Sequence, residues 1–213
     1  MNERARLTRE EAVRELRKLI GKDIRPLADK YGVTVFKNGK LNKGWAGHTL
    51  EKHLGFDLSS SQAPNGLNWE LKAVPLEYNK RKGKIWPKET MAITMINAQD
   101  VAAKSFEQSH MWNKLRSLII CGRIFESKAE AHSKLYSVGT FDFTDADIIA
   151  KVKSDYRLVQ NTIINDGFQK LTGKMGVYVQ PRTKGPGHGS TSRAFYARKS
   201  FLAIILGLPA DPS

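Results

Sequence analysis

The chain has 213 residues and a mass of 23.9 kDa, a length that suits one domain with a core of its own. Its 35 Lys and Arg residues outnumber its 21 Asp and Glu residues, and the net charge of +14 excludes a generally acidic surface. No apolar run reaches the ~20 residues of a membrane-spanning helix, and the only cysteine, Cys121, excludes an intrachain disulfide. Since residues 1–11 contain no signal-peptide core, we expect a cytoplasmic protein without a membrane segment.

The excess of positive charge favours a polyanionic partner, of which nucleic acid is the first candidate. A basic surface that only keeps the protein soluble is the plainer alternative.

The amino-terminal quarter predicts helices. Thr8 and Glu11 form a Thr-x-x-Glu capping box ahead of apolar residues at helical spacing. A shorter helix is predicted over residues 24–32, followed by a basic loop over residues 36–44.

A third helix is predicted in the segment WAGHTLEKHLG, residues 45–55. Ala46, Leu50 and Leu54 form an apolar stripe in it, and Glu51 lies beside that stripe. From the spacing alone, a solvated glutamate is a simpler interpretation of Glu51 than a functional acid.

Residues 68–74 alternate with a period of two, which predicts a strand. Glu70 and Lys72 project from the same face of this strand, about 6–7 Å apart along it. Further strands are predicted over residues 91–97, 117–125 and 135–143. These strands and the helices around them predict an α/β (α+β) fold with a mixed β-sheet flanked by helices.

A long helix follows the last of these strands; it is predicted to open at Thr144 and Asp147 and to run toward Asp166.

The densest basic and glycine-rich cluster lies at residues 176–201. Its first five residues predict a strand, residues 182–192 an exposed loop, and residues 198–206 a closing helix. Side chains of this region suit a loop that follows phosphates and reaches base edges. We expect DNA contacts from Arg182, Lys184, His188, Arg193, Tyr196, Arg198 and Lys199. A flexible solvated loop is the alternative.

The segment APNGLNWELK, residues 63–72, suggests metal-dependent phosphodiester hydrolysis. Mg²⁺ prefers hard oxygen ligands and often takes only one or two protein carboxylates. An acidic residue at position 65, Glu70 and the main-chain carbonyl of Leu71 would supply such ligands, and Lys72 would orient or deprotonate the attacking water. Position 65, however, is Asn65. A Glu-x-Lys pair on a strand is by itself more often a surface ion pair.

The skeleton Pro64-Asn65-x4-Glu70-x-Lys72 resembles the PD-(D/E)xK nuclease signature, and three further segments agree with it in order along the chain. They are NKGWAGHTLEKHLG at 42–55, SHMWNKLRSLII at 109–120 and SRAFYARKSF at 192–201. The chain therefore resembles the MutH-like PD-(D/E)xK nuclease family, which includes the MutH mismatch-repair nickase and type II restriction endonucleases such as MvaI and BcnI.

This resemblance implies a restriction-endonuclease-like mixed β-sheet in one domain over residues 1–213, with DNA reading and closure in residues 176–206. It also implies a monomer that acts on double-stranded DNA with Mg²⁺, for which Mn²⁺ can substitute. The catalytic set that it implies is Glu51, Asn65, Glu70, Lys72 and Lys114, and the metal ligands are Asn65, Glu70 and the carbonyl of Leu71. Tyr196 falls in the region that reads bases.

The departure from the family pattern is Asn65, where the signature has aspartate. An amide keeps one oxygen but lacks the negative charge, so metal binding and catalysis should be weak. A deliberate Asp-to-Asn change is one explanation, and a natural variant that uses another acid, such as Asp57, is the other. The intact Glu51, Glu70 and Lys72 favour the first explanation.

The leading hypothesis is a type II restriction endonuclease inactivated at Asn65. The alternatives are a MutH-type nickase of mismatch repair and a naturally inactive, sequence-specific DNA-binding module.

Overall fold

The computed structural model describes residues 7–56, 68–184 and 191–209. The α-helices in these ranges are α1 (Arg9–Arg17), α2 (Arg25–Lys30), α3 (Trp45–His53), α4 (Ala98–Ala103), α5 (His110–Leu115), α6 (Ala146–Asn165) and α7 (Lys199–Ile205). The β-strands are β1 (Phe36–Lys37), β2 (Lys40–Leu41), β3 (Glu70–Asn79), β4 (Lys84–Pro87), β5 (Met91–Met95), β6 (Ser117–Ile124), β7 (Leu135–Asp142), β8 (Val179–Thr183) and β9 (Arg193–Ala197). None of the described helices is both long enough and apolar enough to cross a membrane.

The main sheet has four strands in the order β4-β3-β6-β7. β3 pairs in parallel with β6, with Glu70 opposite Leu118, whereas the two outer pairs are antiparallel. A second sheet, in the order β5-β9-β8, is antiparallel throughout. The predicted class, α/β (α+β) with a mixed sheet flanked by helices, is confirmed.

The two faces of the main sheet are covered by different hydrophobic cores. Val74 and Leu76 of β3 pack in the core that includes α4 to α7 and the second sheet. Trp69 and Leu71 pack in the core built with α1, α2 and α3. The period-two alternation predicted for this strand is therefore confirmed. Glu70 and Lys72 lie on the same face of the sheet as Val74.

Several predicted helix boundaries are confirmed, and one is wrong. The capping box at Thr8 and Glu11 is present, with both reciprocal hydrogen bonds formed. The long helix α6 begins after Asp145, because the Asp145 carboxylate accepts the N–H groups of Asp147 and Ile148 at 2.9 and 3.0 Å. The predicted opening at Thr144 is therefore one residue early.

The secondary structure of the glycine-rich and basic segments differs more from the prediction than the helix boundaries do. The predicted basic loop at 36–44 contains the β1–β2 hairpin, whose turn residues Asn38 and Gly39 both have positive φ, as an Asn-Gly turn requires. The strand predicted over residues 176–180 begins only at Val179, since Gly176 has a φ of +76°. The helix α7 confirms the predicted closing helix.

Candidate functional site

The floor of the site is the start of β3. Glu70 is 3% exposed, and its position is set by the parallel pairing of β3 with β6 in the middle of the main sheet. Lys72 projects from the same face, and its Nζ lies 2.8 Å from Glu70 Oε1. The pair that the strand period predicted is thus an ion pair at the base of the sheet.

A second lysine reaches the same carboxylate from α5. Lys114 Nζ lies 2.9 Å from Glu70 Oε2 and is buried. Ser109 caps this short helix by accepting the Trp112 N–H, and Met111 and Leu115 anchor it in the core, so Lys114 faces β3. The Glu70 carboxylate therefore lies between two ammonium groups. The family resemblance implied that Lys114 is catalytic, but nothing in the sequence indicated its contact with Glu70.

Helix α3 is positioned by a buried ion pair. Arg123 on β6 contacts Glu130 at 2.7 and 2.9 Å, and its guanidinium lies 5.0 Å from the centre of the Trp45 ring. Trp45 is the first residue of α3 and is fully buried. This contact fixes the start of the helix that carries Glu51, whose side chain is half-buried.

A cleft of about 730 Å³ lies between α3, β3, β5 and the β8–β9 pair. Its lining includes Glu51 and Lys72, two of the predicted catalytic residues, together with Tyr196 of the predicted DNA-binding set. The other charged or imidazole side chains in the lining are Lys43, His48, Glu89, Arg182 and Lys184. Cations outnumber carboxylates here, so the cleft suits a phosphate backbone.

Two ionisable side chains in the cleft have pKa values below the ordinary values of their residue types. Partial desolvation, and next the neighbouring charge of Lys72, lower the pKa of Lys184. Burial also lowers the pKa of His48, which lies one helical turn before Glu51 and was missed by sequence reasoning. The i, i+3 spacing of His48 and Glu51 was the signal that could have found it.

The β8–β9 pair is anchored at its base. The Asp155 carboxylate of α6 accepts the N–H groups of Val177, Tyr178 and Val179, each at 2.7 Å. Arg198 donates to the carbonyl oxygens of Gly173, Met175 and Gly176 at 3.0 to 3.1 Å. These bonds fix the loop that leads into β8.

The predicted DNA-binding residues therefore divide into two groups. Arg182 lines the cleft, where it donates to Thr90 Oγ1 at 2.9 Å and lies 5.7 Å from the Tyr196 ring centre. Arg193, Arg198 and Lys199 are not part of the cleft lining. Arg198 holds loop carbonyls instead, which is a structural role. His188 lies outside the described residues.

The donor chemistry on the floor suits a hard cation, but the described residues supply only part of a shell. The Glu70 carboxylate and the Leu71 carbonyl are oxygen donors of the kind that Mg²⁺ takes. No group of three or more His, Cys, Asp or Glu side chains able to hold a metal occurs in the described ranges. Asn65 and Asp57, from which a further oxygen would come, lie outside these ranges.

The site thus combines a carboxylate held between two lysines with a neighbouring basic cleft. A family model described as the DNA mismatch repair enzyme MutH matches residues 54–153. The DNA mismatch repair protein MutH of Vibrio cholerae is 28% identical to the chain over 93% of this chain and 95% of its own length. The corresponding protein of Vibrio parahaemolyticus is 26% identical over 88% of each chain, and that of Klebsiella pneumoniae 24% identical over 93% and 91%.

Over most of its length the chain is similar to the MutH-like family of nucleases. Among solved structures, the complex of the restriction endonuclease MvaI with its cognate DNA substrate aligns with a TM-score of 0.40 and 13% identity, over 93% of this chain and 97% of that one.

Proposed function

We propose that the chain is a DNA endonuclease, acting as a single-domain monomer on phosphodiester bonds of double-stranded DNA at a specific sequence, and weakened by the amide at Asn65. The observation that carries this proposal is the Glu70 carboxylate held between Lys72 and Lys114 at 2.8 and 2.9 Å, next to a cleft with a basic lining. The relatives named as DNA mismatch repair proteins support DNA as the substrate.

Each residue of the floor has a role that its position supports. Lys72, whose side chain is 20% exposed, faces the cleft and orients the attacking water. Lys114 is more deeply buried and stabilises the negative charge that develops on the phosphate. Arg182 and Lys184, on the opposite wall of the cleft, hold the phosphate backbone.

The metal would be Mg²⁺, with Mn²⁺ as a substitute, held by Glu70, the Leu71 carbonyl and residue 65, with Glu51 beside it. Such an ion would neutralise charge on the phosphate and acidify the attacking water. Asn65 removes one full negative charge from this ligand set, so we propose that the chain as it stands binds DNA but hydrolyses it very slowly.

The variant Asn65→Asp tests this function. We expect it to cleave plasmid DNA in the presence of Mg²⁺ or Mn²⁺ and not in the presence of a chelator, whereas the parent chain should show little cleavage. Asn65→Ser is the matched control, because it changes the same position without adding charge. An Asn65→Asp variant that binds a specific site and never cuts it would contradict the proposal and favour a DNA-binding module without catalysis.

Two forms of this activity are distinguished by their products. A type II restriction endonuclease cuts both strands and converts supercoiled plasmid to linear DNA, whereas a MutH-type nickase produces only open circles. The match to MutH relatives over almost the whole chain favours nicking. The ratio of open circular to linear plasmid made by Asn65→Asp, without any added repair protein, decides between the two forms.

A further inference from the structure

The β3–β4 hairpin carries a concentration of positive charge that the proposed active site does not use. Its turn and the first residue of β4 read Lys80-Arg81-Lys82-Gly83-Lys84, which is four cations in five residues. Within the paired segments of β3 and β4, residues 76–79 and 84–87, the only acid is Glu77, which lies opposite Trp86. The hairpin is therefore strongly basic.

The turn is ordered by short-range contacts. The Asn79 side-chain oxygen accepts the N–H groups of Arg81 and Lys82 at 3.0 and 3.1 Å, and Gly83 takes the positive φ that closes the turn. Lys82 and Lys84 lie over the buried Trp86 ring, at 4.4 and 4.8 Å from its centre. The shape of the hairpin is thus set without help from the side chains of Lys80 and Arg81.

Lys80 and Arg81 are both exposed at the tip. Within the described part of the chain, neither side chain makes a hydrogen bond or an ion pair. Their charges are available to a partner.

The hairpin is continuous with the part of β3 that lines the cleft. Pro75 and Glu89 both line the cleft, and the Lys88 N–H donates to the Pro75 carbonyl at 2.9 Å where the two strands leave it. From Pro75 to Asn79 the strand advances four residues, or roughly 13 Å. The basic tip therefore lies on an extension of the strand that carries Glu70, beyond one end of the cleft.

The chemistry of the tip fits phosphates better than a protein partner. Protein interfaces centre on apolar and aromatic side chains, whereas the only large exposed hydrophobic residue of this hairpin is Tyr78. Exposed Lys and Arg side chains at a turn are typical contacts to a nucleic-acid backbone.

We propose that the β3–β4 hairpin is a second DNA-binding surface, which contacts phosphates of the flanking duplex about four base pairs beyond the cleft, given a rise of about 3.4 Å per base pair. This inference rests on the proposed function, because it places the flank of the same duplex on the hairpin. The contact adds affinity without reading sequence.

The test compares the parent chain with the double variant Lys80→Gln/Arg81→Gln on two duplexes with the same central sequence. One duplex has about 10 base pairs and the other about 26, so that only the longer one reaches the hairpin at about 3.4 Å per base pair. Affinity is measured by fluorescence anisotropy across a series of salt concentrations, without a divalent metal. The matched control is Arg14→Gln/Arg17→Gln, which removes two exposed charges from α1, a helix that packs near β7 at the other edge of the main sheet.

We expect the hairpin variant to bind only the longer duplex more weakly than the parent does. The decrease should be about tenfold near 0.1 M salt for each phosphate that the hairpin no longer binds, with a salt slope shallower by about one to two units. The α1 variant should bind both duplexes like the parent. Equal affinity of the hairpin variant and the parent for the longer duplex would overturn the hairpin proposal alone, and so would an equal decrease on both duplexes. A parent chain that binds neither duplex would overturn the proposed function and the hairpin proposal together.

Discussion

The floor of the site, where Glu70 lies, and the β8–β9 wall of the neighbouring cleft hold their charges in opposite ways. On the floor, Glu70 is buried and contacts two lysines, and its position follows from a parallel pairing in the middle of the main sheet. On the wall, Arg182 and Lys184 are exposed near the end of β8, and the strand pair is fixed mainly at its base. A displacement of about 1 Å reduces the rate of a reaction far more when it affects a catalytic group than it weakens DNA binding when it affects a phosphate contact. The rigid region therefore suits catalysis, and the exposed region suits recognition that can vary between relatives.

The energetics of the two regions differ for the same reason. A buried charge is costly unless it is paired and hydrogen-bonded, so removal of one partner on the floor disturbs both stability and chemistry. Charges on the wall are solvated and screened by salt, so their removal should alter DNA binding with little effect on folding.

The largest effect is expected from Glu70→Ala in the Asn65→Asp background. It removes the carboxylate from the floor, and we expect cleavage to fall on the order of 10³-fold, since several kcal/mol of transition-state stabilisation are removed. Stability should also fall by about 3 kcal/mol, because Lys72 and Lys114 lose a buried partner. Plasmid cleavage and thermal unfolding measure the two effects.

DNA affinity is the control for this variant. It should be retained or slightly increased, because a negative charge next to the cleft is removed. If Glu70→Ala cleaves as fast as Asn65→Asp alone, the floor is not the catalytic region and the contrast with the wall fails.

The second-largest effect, on folding stability and on specific DNA binding, is expected from Asp155→Asn at the base of the wall. The carboxylate accepts three backbone N–H groups at 2.7 Å, and an amide offers them one oxygen and a competing donor. We expect a decrease of about 2–3 kcal/mol in the free energy of unfolding. Specific DNA binding should fall as well, because the register of β8 is no longer fixed.

Asp147→Asn, an exposed position on the same helix, is the control and should cost less than about 1 kcal/mol. Equal stability of the two variants would show that β8 is held from elsewhere.

The sequence predicts the floor of this site better than its surroundings. The period of two in β3 places Glu70 and Lys72 on one face because strand geometry is local, and the capping box of α1 is local as well. Lys114 approaches Glu70 from 44 residues away, and no local pattern specifies that contact. The family resemblance implied a catalytic role for Lys114 but did not indicate this contact.

The wall was predicted less well for a related reason. β9 was not predicted as a strand, and the start of β8 depends on Asp155, which lies more than twenty residues earlier in the chain. Arg198 looked like a DNA contact because it lies in a basic cluster, but composition does not show that its guanidinium binds loop carbonyls.

Arg182 and Lys184 on the wall should contribute to DNA binding in different ways. Arg182 lies beside Tyr196 in the cleft, and Arg182→Ala should relax selectivity at one base pair by about 1–3 kcal/mol if it contacts a guanine. Lys184→Ala should weaken binding to all duplexes to a similar extent, as a phosphate contact does. Binding to a panel of single-base variants of the recognised site measures both. Uniform decreases for both variants would mean that bases are read elsewhere.

The smallest effect concerns the pH dependence of DNA binding through Lys184. Partial desolvation of its ammonium group by the surrounding protein, and then the charge of Lys72, lower its pKa from the ordinary lysine value. A phosphate binds the protonated form, so affinity should begin to fall, as pH rises through this lowered pKa, at a lower pH than an ordinary lysine would give. Lys184→Arg keeps the charge at every accessible pH, because the guanidinium does not titrate below about pH 12. Affinity for a duplex, measured between neutral pH and about pH 10, should therefore fall by a few-fold more in the parent than in Lys184→Arg. Identical pH profiles would place Lys184 outside the DNA contact and leave Arg182 as the main cation of the wall.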